Sequence, residues 1–238
     1  MVGWGGTLMR ARDAKELRCT RRLEAHLHRR GWRLVAGCDE AGRGALVGPL
    51  YAAAVILDPA KRIRGVDDSK KLTPAARAEL DQEIRARALA FQVVAAPAAE
   101  VDALNVYQAS RLAMIRALAG LAPPPDFVLT DAMRLCGWGD AVEFQVPHRS
   151  IIHGDARSAS IGAASILAKV ARDARLRELD RLYPQYQLAK NKGYGTPEHL
   201  AGLARYGPCP EHRRTFQPVR AYSLPLFPAS TGPESSSS

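Results

Sequence analysis

Asp39 and Glu40 are adjacent carboxylates, and Ala41-Gly42-Arg43-Gly44 follows them at once. The two acids come just after an apolar run, Leu34-Val35-Ala36, so they stand at the end of a predicted strand. Gly-Arg-Gly makes a turn whose backbone can approach a ligand closely, and the arginine fork can grip a phosphate. Two more acids hold comparable places: Asp131 follows the apolar stretch Phe127 to Thr130, and Asp155 ends His153-Gly154-Asp155 ahead of a long helical segment. Carboxylate oxygens are the ligands that the hard cations Mg²⁺ and Mn²⁺ prefer. A pair of such cations can activate a water and stabilise the leaving oxygen of an in-line phosphoryl displacement. Acid beside base in so short a segment outlines an enzyme that works on phosphodiesters. Each acid alone also has an ordinary reading as a strand-end cap, an Asx-turn or a charge favoured by a helix N-terminus. Their joint placement at strand ends, where α/β sheets form ligand sites, favours the metal reading.

The elements that must position these groups follow from periodicity and punctuation. Residues 10–31 read as a charged helix with Leu17, Leu23 and Leu27, stopped by Gly31. Residues 33–40 and Leu50 to Leu57 read as buried strands, and Phe91 to Ala96 as a third. Thr73-Pro74 opens a helix to about Ala88, with Thr73 as N-cap and Pro74 at the first helical position. A helix from Glu100 to Leu121 and a short strand from Phe127 to Thr130 come next. Val142 to Val146 alternates like a further strand. Ser158 to Leu182 is the longest helical segment, with Asp173 and Arg177 as an i,i+4 pair on its wet side. Thr196-Pro197 starts a short helix, and the Pro- and Ser-rich stretch at 223–238 reads as disordered. Early strands, then strands alternating with helices, predict an α/β domain with a mixed sheet.

At 238 residues the chain can bury a proper core. The longest apolar stretch, Ala45 to Leu57, is broken by Gly48 and Pro49 and is too short to span a bilayer. Residues 1–30 contain no apolar signal region, so a soluble cytoplasmic protein is the expectation. A net charge of +10 suits a polyanionic partner, because lysine and arginine displace condensed counterions from nucleic acid. Cys19, Cys38, Cys136 and Cys209 are widely spaced and read as reduced thiols. Among the six histidines, Cys209-Pro210-Glu211-His212 comes nearest to zinc spacing without reaching it.

Six blocks, in order, give the sequence a strong resemblance to bacterial type 2 ribonuclease H (ribonuclease HII). They are residues 37–44, Asp67-Asp68-Ser69-Lys70-Lys71-Leu72, Thr130-Asp131-Ala132, Gly154-Asp155 together with Ser160 through Asp173, Lys192-Gly193-Tyr194-Gly195-Thr196, and His212-Arg213-Arg214-Thr215-Phe216. The resemblance covers residues 33–218, between an N-terminal helical extension at 1–32 and a tail at 219–238. It implies a ribonuclease H-like α/β fold: a mixed five-stranded sheet flanked by helices, with a C-terminal helical portion. It implies a monomer that cuts RNA in RNA–DNA hybrids and nicks 5′ to single ribonucleotides in duplex DNA. Asp39, Glu40, Asp131 and Asp155 match the family's carboxylates for Mn²⁺ or Mg²⁺. Gly42, Arg43 and Gly44 match the motif that reads the 2′-hydroxyl, and Tyr194 matches the tyrosine that stacks on the sugar at the junction. Lys70 and Lys169 become expected substrate contacts, while Arg172 reads equally as surface charge or a nucleic-acid contact. His212 to Phe216 reads as packing. Cys136-Gly137-Trp138-Gly139 departs from the family pattern.

Two rival functions fit parts of this pattern. A junction resolvase or integrase-like nuclease of the same fold would cut all-DNA substrates and would not need Gly42-Arg43-Gly44. A binding module without catalysis would use the basic surface and would not need all four carboxylates.

Overall fold

The computed structural model describes residues 19–66, 72–136 and 144–223. In chain order the elements are α1 (Arg22–Arg29), β1 (Val35–Ala41), β2 (Leu50–Leu57), α2 (Pro74–Arg87), β3 (Ala88–Ala96), α3 (Ala98–Leu104), α4 (Val106–Ala119), β4 (Phe127–Asp131), β5 (His148–Ile151) and α5 (Ala159–Leu182). A short 3₁₀ turn at Pro184–Tyr186 leads into α6 (Leu188–Asn191), α7 (Pro197–Tyr206) and α8 (Gln217–Ser223), the expected C-terminal helical portion.

The five strands form one mixed sheet in the order β3-β2-β1-β4-β5. β1 pairs antiparallel with β2, and β2 antiparallel with β3, while β4 lies parallel to β1 and to β5. Alternation along β1 sends Ala36 and Cys38 to one face, where they pack with Met114, Ala117 and Leu118 of α4. On the other face, Ala53 and Val55 of β2 meet Ile84 of α2 and Ala163, Ala164, Ile166 and Leu167 of α5.

Gly37 decides how close α5 comes to the sheet. A Cβ there would fall on the Ser160–Ile161 backbone, so only glycine lets the first turn of α5 rest on β1. The same turn is capped twice. Ser158 Oγ accepts from the Ile161 N–H at 3.3 Å, and buried Glu24 of α1 accepts from Ser160 N–H at 2.9 Å and from both serine hydroxyls at 2.6 and 2.7 Å. A carboxylate at a helix N-terminus is held by the free N–H groups and the helix dipole. These contacts fix the segment that carries Asp155.

Several element expectations are corrected. The first helix spans only Arg22–Arg29 among the described residues, since Thr20 forms a bridge to Ser158 and residues 10–18 lie outside them. The helix read across Glu100 to Leu121 is two. Asn105 breaks it at φ 65°, and its side chain accepts from the Tyr107 and Gln108 N–H groups. The fifth strand is His148–Ile151, not Val142 to Val146. Phe144 and Val146 instead pack against the core, and 142–143 lie outside the described residues. Asp173 is not on a wet face: it is buried and bonds Arg77 at 3.2 Å and Lys169 at 2.7 Å. Residues 219–223, expected in the tail, are helical, and 224–238 lie outside the described residues. None of the four cysteines is in a disulfide. Among the described residues no helix is long and apolar enough to cross a membrane.

Candidate active site

Adjacent parallel strands bring the first two acids together. Cys38 of β1 is in register with Thr130 of β4, so Asp39 and Asp131 lie one residue further along, side by side at the carboxyl ends. The loop from β5 to α5 brings Asp155 to the same place, and one carboxylate oxygen from each of Asp39, Asp131 and Asp155 lies within 4.8 Å of the others. Asp39 and Asp155 are buried. Local hydrogen bonds aim the three groups: Asp39 Oδ1 accepts from the Glu40 N–H at 2.8 Å, Asp131 Oδ1 from the Gly154 N–H at 2.8 Å, and Asp155 Oδ1 from the Ala156 N–H at 2.9 Å.

Glu40 stands beside this cluster. Its Oε1 accepts from Arg43 Nη1 at 3.3 Å, and its buried Oε2 has no hydrogen-bond partner among the described residues. A buried carboxylate oxygen without a donor is costly unless something positive comes to it. Burial raises Asp39 well above the ordinary carboxylate range, repulsion from Glu40 and Asp131 adds to this, and a hydrogen bond from Ser165 opposes it. Burial likewise raises Glu40 to about 7, against the pull of Arg43 and with repulsion from Asp131. Holding this cluster ionised is unfavourable for the protein alone, and a divalent cation among the oxygens removes the penalty. The all-oxygen donor set suits Mg²⁺ or Mn²⁺.

The acids open into a cavity of about 390 Å³ lined by Asp39, Glu40, residues 41–44, Asp131, Ser165, Lys169 and Tyr194. The two glycines of the 42–44 loop differ in kind. Gly42 has φ 96°, and a Cβ on it would overlap the Arg172 Nε. Gly44 has room: among the described residues a Cβ would meet only Tyr194 Cε1, at 3.8 Å. The bareness of Gly42 is demanded by the protein, whereas that of Gly44 leaves space towards the cavity. Arg213 pins the loop from below. It is fully buried, its Nη1 donates to the Gly42 and Arg43 carbonyls at 2.8 and 2.9 Å, and its Nε and Nη2 donate to the Gly48 carbonyl at 3.2 and 3.0 Å.

Nine of the ten expected site residues are therefore accounted for around one locus, Asp155 completing the acid cluster and the others lining the cavity. Lys70 lies outside the described residues. Lys169 faces the cavity while bonded to Asp173, and burial lowers its pKa. Tyr194 is 43% exposed. Residue-type reasoning missed Ser165, whose signal was its place on α5 about a turn beyond Ile161. It also missed Arg213, which lay within the segment read as packing.

The Ribonuclease HII family model matches residues 36–219. Ribonuclease HII of Solibacter usitatus (strain Ellin6076) is 51% identical over 208 residues, covering 87% of this chain and 88% of its own. Ribonuclease HII of Geobacillus kaustophilus (strain HTA426) is 51% identical over 199 residues, covering 84% and 74%. The crystal structure of ribonuclease H2 from Pyrococcus horikoshii OT3 superposes with a TM-score of 0.67 at 26% identity, covering 80% of this chain and 97% of that one. The mixed sheet with β1 and β4 parallel at its centre is thus the ribonuclease H-like fold, and the chain belongs to the ribonuclease HII family.

Proposed function

We propose that Asp39, Glu40, Asp131 and Asp155 are the catalytic metal ligands of an endonuclease that nicks 5′ to a single ribonucleotide in duplex DNA. Membership of the ribonuclease HII family makes the protein a divalent-metal endoribonuclease acting on RNA–DNA hybrids. The observation that carries the residue assignment is the convergence of three carboxylates within 4.8 Å, with beside them a buried Glu40 oxygen that has no hydrogen-bond partner among the described residues. Mg²⁺ or Mn²⁺ held there supplies Lewis acidity, activating water for attack on the phosphodiester and neutralising charge on the leaving 3′-oxygen.

The remaining residues choose the bond. The 2′-hydroxyl is the one group that separates a ribose from its deoxyribose neighbours. Arg213 engages the carbonyls of Gly42 and Arg43, and the loop offers its N–H groups to the 2′-oxygen. The open side of Gly44 gives the sugar room to approach. Arg43, 45% exposed, grips an adjacent phosphate. Lys169 adds positive charge at the wall of the cavity. Tyr194 lies against the next sugar and favours deoxyribose there, so loop and ring together read a junction. The chain acts as a monomer in the cytoplasm under this reading.

Cleavage of a DNA duplex carrying one ribonucleotide, beside an all-DNA duplex, tests the function with Mg²⁺, Mn²⁺ or chelator. The expected result is a nick only in the ribonucleotide-bearing strand and only with metal. Cutting of both duplexes would overturn the reader, and cutting in chelator would overturn the metal site.

A further inference from the structure

Arg172 follows Lys169 by three residues on α5 and is 1% exposed. It is neither surface charge nor free to contact a nucleic acid. Its Nη1 donates to the Lys192 carbonyl at 2.9 Å and its Nη2 to the Val47 carbonyl at 3.4 Å. Its guanidinium carbon lies 5.8 Å from the centroid of the Tyr194 ring. On one side Gly42 is so close that a Cβ would overlap Nε, and on the other a Cβ on Gly193 would come within 3.2 Å of Nη2. One buried side chain thus touches both the 42–44 loop and the 192–195 loop.

The main chain of Tyr194 has a separate anchor. His212 Nδ1 accepts from the Cys209 N–H at 3.0 Å, which leaves the proton on its Nε2. That proton goes to His199 Nε2 at 3.1 Å, and His199 Nδ1 then donates to the Tyr194 carbonyl at 2.9 Å. The imidazoles fix the backbone, and Arg172 meets the ring.

We infer that Arg172 is a positioning residue that sets the preference for a single embedded ribonucleotide over continuous RNA–DNA hybrid, by holding the Tyr194 ring against the Gly42-Arg43-Gly44 loop. This rests on the reading of Tyr194 as the contact to the sugar after the ribonucleotide. Deoxyribose accepts a ring held there, whereas ribose presents a hydroxyl to it. A ring free to swing away makes the distinction poorly.

The test compares Arg172→Gln, Arg172→Lys, Tyr194→Ala and the Arg172→Gln/Tyr194→Ala double variant. Each is assayed for kcat/KM on a duplex with one ribonucleotide and on a continuous hybrid, with thermal unfolding as the control for folding. Arg172→Gln is expected to lower the ratio of the two values about tenfold, the scale of a partly desolvated cation–π contact. Arg172→Lys, which keeps the charge and loses the planar fork, shifts the ratio the same way and carries the test if the glutamine variant does not fold. Tyr194→Ala lowers the ratio at least as far, and the double variant goes no lower, because both changes remove one interaction. Equal losses on both substrates in the arginine variants, or independent losses in the double variant, overturn the inference alone. An unchanged ratio in Tyr194→Ala overturns the reading of Tyr194 and the inference with it.

Discussion

Asp131→Asn is expected to lose cleavage by about a thousand-fold or more in kcat while binding the ribonucleotide-bearing duplex nearly as well as the parent. The change is isosteric, and Asn retains an Oδ1 that can accept from the Gly154 N–H, bonded at 2.8 Å in the parent. The β5–α5 loop therefore stays where it is. What is lost is one anionic oxygen from a cluster in which Asp39, Asp131 and Asp155 converge within 4.8 Å. Removing charge stabilisation of several kcal/mol from the transition state corresponds to about three powers of ten in rate. Binding survives because affinity for a duplex comes mainly from lysine and arginine at phosphates. Single-turnover rates with saturating Mg²⁺, beside fluorescence anisotropy for the duplex, measure both quantities. Activity within about tenfold of the parent would remove Asp131 from the metal site.

Gly42→Ala is expected to be the most damaging small change in the 42–44 loop. Gly42 sits at φ 96°, and the new methyl would overlap Nε of Arg172, a buried side chain whose Nη1 and Nη2 donate to two carbonyls. The loop must move, and a displacement of about 1 Å at a substrate-positioning group can cost about a hundred-fold in rate. Stability falls as well, by about 1–3 kcal/mol, since a non-glycine residue is strained in this conformation. Gly44→Ala makes the contrast. Among the described residues its methyl meets only Tyr194 Cε1, at 3.8 Å, so unfolding is unchanged while the sugar loses its space. Denaturant unfolding and kcat/KM on the one-ribonucleotide duplex separate the two: Gly42→Ala loses both, and Gly44→Ala loses activity alone. Equal unfolding midpoints for Gly42→Ala and the parent would contradict the packing described for Arg172.

The acids were legible because apolar strands end abruptly in them. Val35 to Cys38 and Phe127 to Thr130 announce buried parallel strands, and such strands deliver their next residues to the ligand-binding edge. The cap at Thr73 and the helix starts at Ser158 and Thr196 were legible for a similarly local reason, and in the structure each of these side chains accepts from an N–H three residues on. The faces of α5 were not. A helix packed against the sheet on one side and against α2 and α6 on others buries charged positions that look solvent-facing, and Arg172 and Asp173 were misread for that cause. Asn105 hid its break because apolar spacing runs on through it, and only its side-chain cap and positive φ end α3. Short polar β5 carried almost no alternation, so the more hydrophobic stretch before it was read as the strand. Arg213 bonds residues 165 or more positions earlier in the chain, a relation that local reading does not contain.

The chemical identity of the ends at the nick tests the central claim most directly. A duplex with one ribonucleotide, labelled at either end of the cut strand and incubated with Mg²⁺, is predicted to yield a 3′-hydroxyl on the upstream DNA and a 5′-phosphate on the ribonucleotide. Those ends require an outside water as nucleophile, the role proposed for a metal held at the four carboxylates, and leave the 2′-hydroxyl no part in the attack. A cut on the 3′ side of the ribonucleotide, leaving a 2′,3′-cyclic phosphate, would mean that the 2′-hydroxyl itself attacks, and the account built on Asp39, Glu40, Asp131 and Asp155 would be contradicted.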